Sequence, residues 1–155
     1  MTILRAGNTI NGKCCKAFAT IDGKVEELFY IKSFNADITK NKTEVPVMGD
    51  VWVQHKAGSL SGSGTMTMKY LSPVFRKMID RYATTQVDEY FNMTIVNADP
   101  GSKAGIQTVT LNDCNIDGVV ATKFDVESDS LEEDVAFTFS GVSNISNFND
   151  PASYS

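Results

Sequence analysis

Apolar and polar side chains alternate with a period of two along most of this chain. That pattern does most to narrow what it can become. Successive strand residues point to opposite faces, so such runs build half-buried strands rather than helices. CCKAFATI and KVEELFYI flank Asp22-Gly23, a two-residue hairpin loop. The alternation predicts that the second strand runs on, with Phe34, Ala36 and Ile38 on one face and Ser33, Asn35, Asp37 and Thr39 on the other. TKNKTE (39–44) is polar and expected to be exposed. Val45 and Val47 then alternate with Pro46 and Met48, and Pro46 belongs at an edge or bulge because it has no N–H for a ladder.

Gly49-Asp50 interrupts the run and VWVQHKA resumes it. In that pleat Trp52 lies opposite Val51 and Val53 and shares a side with Met48. If the valines face the core, Trp52 faces out, either toward a partner or under cover of the helix or the N-terminus. GSLSGSG (58–64) reads as a flexible connection, and TMTMKY as a third alternating run. One helix is signalled. Ser72 is a good N-cap, Pro73 suits the first helical position, and Val74, Phe75, Met78, Ile79 and Tyr82 form one apolar stripe.

Strands return after the helix. EYFNMTIV and IQTVTLND form a second hairpin about the turn DPGSKAG. GVVATKFDV and DVAFTFSGV are two further runs, separated by the acidic linker ESDSLEE, and the tail from about 147 is polar and expected to fray. The fold class is therefore mainly β: an antiparallel sandwich or barrel of roughly eight strands with one flanking helix. The whole of 1–155 reads as one domain with a long β-arm at about 34–57.

Chemistry is not signalled. His55 has no orienting partner or nucleophile in a local motif and reads as a surface histidine. Gly58, Gly62 and Gly64 lead into a strand, whereas a phosphate loop opens a helix. Glu127, Asp129, Glu132, Glu133 and Asp134 lack the ligand spacing of a calcium loop and read as a solvated linker. Cys14, Cys15 and Cys114 fit neither a disulfide framework nor a zinc site and are expected as reduced thiols. No cofactor and no metal is called for, and the chain does not read as an enzyme. A net charge of −5 argues against gripping nucleic acid, and no run approaches the roughly 20 apolar residues that span a bilayer. The N-terminus lacks a signal peptide's apolar centre, which predicts a cytoplasmic start.

The segment ITKNKTEVPVMGDVWVQHKAGSLSGSGTMTMKY, followed by Ser72-Pro73-Val74-Phe75 at the helix start, resembles the tail tube (core) protein of contractile-tailed bacteriophages. The type it resembles is that of PBSX-like defective prophages. The N-terminal hairpin and VAFTFSGV fit as well, so the resemblance spans almost the whole chain. It implies a β-sandwich whose copies close into homohexameric rings, with the rings stacked as a hollow tube inside a sheath, an architecture shared with type VI secretion tubes. The implied partners are the chain itself and the sheath, tape-measure and baseplate proteins. DNA or effectors would pass through the lumen without specific binding, and no membrane is involved. The implied setting is the host cytoplasm during assembly and the finished tail afterwards.

The residues support that picture, because a ring covers exposed strand edges and a long hairpin can reach a neighbour, with TKNKTE ordering on contact. The expected subunit interface is Lys40, Lys42, Val45, Pro46, Val47, Met48, Gly49, Asp50 and Trp52. The competing expectation is a small monomeric β-barrel that binds an apolar ligand.

Overall fold

A computed structural model of the chain describes residues 3–28, 30–71 and 73–150. Strands β1 (Cys15–Ile21) and β2 (Lys24–Glu27) close the predicted hairpin, with Ile21 paired to Lys24. Asp22 and Gly23 adopt φ of 51° and 79°, the left-handed pair whose twist matches that of the flanking strands.

The strand expected to run on from this hairpin stops instead. β2 ends at Glu27, and the side chains of Leu28 and Tyr30 are buried at a corner. The Leu28 N–H donates to the Ala17 carbonyl at 2.8 Å, and the Tyr30 carbonyl accepts from the Lys69 N–H at 2.9 Å. Burying both side chains turns the chain out of one sheet and into the other. There β3 (Ile31–Val45) pairs with β4 (Gln54–Lys69).

The glycine-serine segment is not a flexible connection. Residues 58–64 form the middle of the 16-residue β4, and the predicted separate run TMTMKY is the end of the same strand. Glycine serves here by lacking a Cβ. One added at Gly62 would lie 2.4 Å from the Phe139 ring, and one at Gly64 would lie 2.4 Å from the Asn35 carbonyl and 2.6 Å from the Phe137 ring. The strand can thus pass directly under Phe137, on which Phe34 stacks with ring centroids 5.4 Å apart.

β5 (Phe91–Ala98), β6 (Ile106–Ile116), β7 (Glu132–Phe139) and β8 (Gly141–Ser146) complete eight antiparallel strands in the order β2-β1-β5-β6-β7-β4-β3, with β8 also on β6. The path folds at one corner. Asn112 and Asp113 together oppose Asn92, Asp113 takes φ 53°, and its N–H donates to Asn92 Oδ1 at 3.1 Å. Past this bulge β6 leaves β5 and pairs with β7 through Asn115 and Ile116. β7 and β8 part at Ser140, whose N–H reaches the Asn112 carbonyl at 3.0 Å. The two halves of the sheet therefore face each other across Met66, Met68, Met93, Cys114, Val135 and Phe137, all fully buried. Burial pushes the Cys114 thiol up to about 12, so it behaves as a small apolar group.

The helix α1 (Val74–Thr85) closes one end, with Phe75 and Met78 buried and the Phe75 ring 5.7 Å from that of Phe91. Pro73 holds the cap position, one residue later than expected, and its carbonyl accepts from the Lys77 N–H at 2.8 Å. The expected cap Ser72 lies outside the described residues. Tyr82, expected on the buried stripe, is half exposed.

Two C-terminal expectations fail as well. GVVATKFDV (118–126) is not a strand, and Phe124 and Val126 stand in solvent. The ladder to β7 ends where the Asp117 N–H reaches the Ala136 carbonyl. Beyond Asp117 the chain peels away from β7. The acidic segment is not wholly a solvated linker either, because β7 begins at Glu132 and Glu133 is buried. After β8, the Asn149 N–H bonds the Ala104 carbonyl at 2.6 Å.

Candidate assembly surface

Beyond Ile38, β3 and β4 leave the body as a two-stranded ribbon whose side chains are exposed. Its ladder continues through Lys40↔Leu60, Lys42↔Ala57 and Glu44↔His55 to Val45↔Gln54, with one slip between Lys40 and Lys42. TKNKTE is thus exposed, as expected, and is strand in the chain on its own rather than a segment awaiting order. His55 stands exposed on this ribbon.

Pro46 follows the last paired residue, where the missing N–H ends the ladder. A turn over 47–50 reverses the chain. The Asp50 N–H reaches the Val47 carbonyl at 3.4 Å, and Gly49 takes φ 87°, the left-handed value this turn requires. Asp50 Oδ1 then accepts the Trp52 N–H at 3.0 Å, fixing the next bend. The expectation that VWV resumes a strand is not met, since β4 starts at Gln54. With no pleat at 51–53, Trp52 is not set against its valine neighbours. Met48 is 101% exposed, Val51 97%, Trp52 82% and Val53 50%. All four apolar groups stand together in water on a turn held by its own hydrogen bonds.

The second feature is at the other end of β3 and was not predicted. An open cleft of about 840 Å³ lies between the two halves of the sheet. Phe34, Ala36 and Ile38 line it from β3, and Ile95 and Val109 face it from β5 and β6. Lys13, Lys16 and Lys32 stand around it with Glu27. The alternation of Phe34, Ala36 and Ile38 was legible in the sequence. The facing wall was not, because it comes from residues about 60 positions away and more. Cys15 lies exposed at the cleft, and burial is the larger of the causes raising its thiol.

Charge near the body is locally settled. Glu132 accepts from Lys69 Nζ at 3.0 Å and Lys32 Nζ at 3.2 Å, and these bonds, Lys69 first, hold its carboxyl below the usual range. Its neighbour Glu133 is raised by burial, against the pull of Arg76 and Lys123. Among the described residues, no group of three His, Cys, Asp or Glu could hold a metal, and no helix is long and apolar enough to cross a membrane.

The chain has relatives among known proteins. Residues 2–146 match the family described as phage tail tube protein. The phage-like element PBSX protein XkdM of Bacillus subtilis (strain 168) is 40% identical over 136 residues, covering 88% of this chain and 90% of that protein. The fold is shared with a chain of an extracellular contractile injection system, the PVC sheath-tube complex in its extended state. There the TM-score is 0.64 at 17% identity, over 88% of this chain and 90% of that one. It is also shared with a chain of the six-fold symmetrised baseplate of the anti-feeding prophage, with a TM-score of 0.62 at 12% identity over 84% and 91%.

Proposed function

This chain belongs to the phage tail tube protein family, and we propose that six copies close into a ring and that such rings stack into the inner tube of a contractile tail or tail-like particle. The family is structural rather than enzymatic. The observation that carries the reading is the arm tip, where Met48, Val51 and Trp52 stand almost fully exposed on a preformed turn. Apolar groups held together in water are a contact surface that lacks its partner. Lys40, Lys42, Val45, Pro46, Val47, Gly49 and Asp50 frame them and complete the interface.

Two further features support the ring. Among the described residues β2 and β3 end the sheet path with unpaired outer edges, and a neighbouring copy on each side would cover them. A net charge of −5 suits a lumen through which DNA or effectors pass without being held. The proposed partners are further copies of the chain and the sheath, tape-measure and baseplate proteins. The proposed path runs from host cytoplasm to the finished tail. The cleft favours one other reading, a monomer that binds an apolar ligand there, but this leaves the arm tip without a role.

The test compares wild type with Met48→Glu/Trp52→Glu by negative-stain microscopy of concentrated samples, with a baseplate nucleus supplied. Rings or tubes from wild type and a folded monomer from the double variant are expected. Tubes from both would refute the interface. A wild-type monomer under every condition would refute the tube.

A further inference from the structure

The arm tip and the cleft are both apolar, both open, and at opposite ends of the same strand. We propose that they fit each other between copies: the tip of one chain, led by Trp52 and Met48, seats in the cleft beside Phe34, Ala36 and Ile38 of the next. This rests on the tube reading above and names the surface that the arm meets.

A chain cannot fill its own cleft. From Ala36 to Val45 the backbone runs nine residues along a paired ribbon, about 30 Å at roughly 3.3 Å per residue. Pairing that resumes after the slip at Lys40–Lys42 and runs to Val45↔Gln54 holds the tip away from its own body. The occupant must come from another molecule.

Chemistry argues that it is a second copy. The cleft offers aliphatic and aromatic walls that remain partly exposed, with Ile38 at 57%, and the tip offers apolar groups that nothing covers. The charges agree as well. Asp50 projects from the tip, and Lys13 and Lys16 stand at the cleft with Glu27, while Lys32 is held by Glu132. Because plug and socket differ and sit at opposite ends of the arm, the contact is heterologous, so each copy offers one of each and the contact can repeat from copy to copy.

The native thiols give a direct test. Cys15 lies at the cleft and Cys114 is buried, so in a Cys14→Ser background Cys15 is the accessible thiol of the three. Val51→Cys in that background, treated with a short bis-maleimide during assembly, should give a ladder of covalently linked chains that disappears on adding Cys15→Ser. Separately, Ile38→Asp should raise the concentration needed for assembly about tenfold or more, as expected for a charge placed in an apolar contact. Its thermal midpoint should be unchanged, because Ile38 is already more than half exposed. If Ile38→Asp assembles like wild type and Val51→Cys gives no ladder through Cys15, while Met48→Glu/Trp52→Glu still blocks assembly, the tip docks elsewhere and this inference alone fails. If the double variant assembles normally, the tube interface itself is wrong and the socket goes with it.

Discussion

β3 and β4 lie side by side for their full length, but the two halves of this ribbon are fixed by different forces. At the body end, Met66 and Met68 are fully buried and β4 is paired on both sides, to β3 and to β7. At the arm end β4 has only β3 beside it, and its side chains are solvated. A two-stranded ribbon is marginal in water, with little apolar burial to offset the entropy of ordering it. The body end is therefore specified by what it packs against inside the chain. The arm end is held by its ladder alone, which suits the proposed contact with a neighbouring copy.

The largest effect separating the halves should come from Phe137. Its ring is fully buried, stacks on Phe34 and covers Gly64. Phe137→Ala should cost about 4 kcal/mol of unfolding free energy in urea titration, from lost burial and the cavity left behind. A loss below about 1 kcal/mol would mean that the ring is not the keystone of the body end. Gly64 offers a finer version of the same test. Gly64→Ala should cost about 2 kcal/mol through overpacking, because its new methyl meets both backbone and ring. Gly58→Ala on the arm meets only the Asn41 carbonyl, at 3.3 Å, and should stay within about 0.5 kcal/mol. Equal costs at the two glycines would erase the distinction.

Those glycines also measure how far the sequence could be read. The alternation of β1, β2, β5 and β6, the Asp22-Gly23 turn and the single helix were legible because each rests on neighbours in sequence. Residues 58–64 looked like a linker by composition, although the period was present. Ser59, Ser61, Ser63, Thr65 and Thr67 alternate with Leu60, Gly62, Gly64, Met66 and Met68. The hydroxyls mark one face, and glycine stands on the other because of Phe137 and Phe139, about 75 residues away. The exposure of Met48 and Trp52 was legible in the sequence, but the local geometry was not. Assigning Val51–Val53 to a pleat required a strand that Asp50 prevents by bonding the Trp52 N–H. Of the cleft only the Phe34, Ala36 and Ile38 wall was legible, since the walls meet only when the sheet folds at Asn112–Asp113.

A smaller effect on stability, with a large one on assembly, should follow from shortening the arm. Lys42 and Ala57 are cross-strand partners, so replacing 43–56 with Asn-Gly leaves a two-residue hairpin loop on an intact ladder. The unfolding free energy should change by less than about 1 kcal/mol, because no core residue is removed. Tubes should be absent from electron micrographs at any concentration. A variant that unfolds would make the arm part of the core, and one that assembles would take the contact away from the tip.

The smallest effect concerns pH and belongs wholly to the body end. Glu133 sits on the inward face of β7 with Val135, Phe137 and Phe139, and burial raises its folded carboxyl above the ordinary range. A raised acid binds its proton more tightly folded than unfolded. Its contribution to stability is therefore present below the ordinary carboxylate range and lost as pH rises through the folded value. Glu132 has the opposite sign, since its Lys69 and Lys32 bonds lower it and its contribution is lost as pH falls. Glu133→Gln keeps the shape of the side chain and removes the buried charge. At neutral pH it should be slightly more stable than wild type, and its stability between mildly acidic and neutral pH should lose the downward slope with rising pH, leaving the decline in acid due to Glu132. Urea midpoints across that range would measure both. If wild type and variant keep the same slope, Glu133 is solvated and the inward face of β7 ends at Val135.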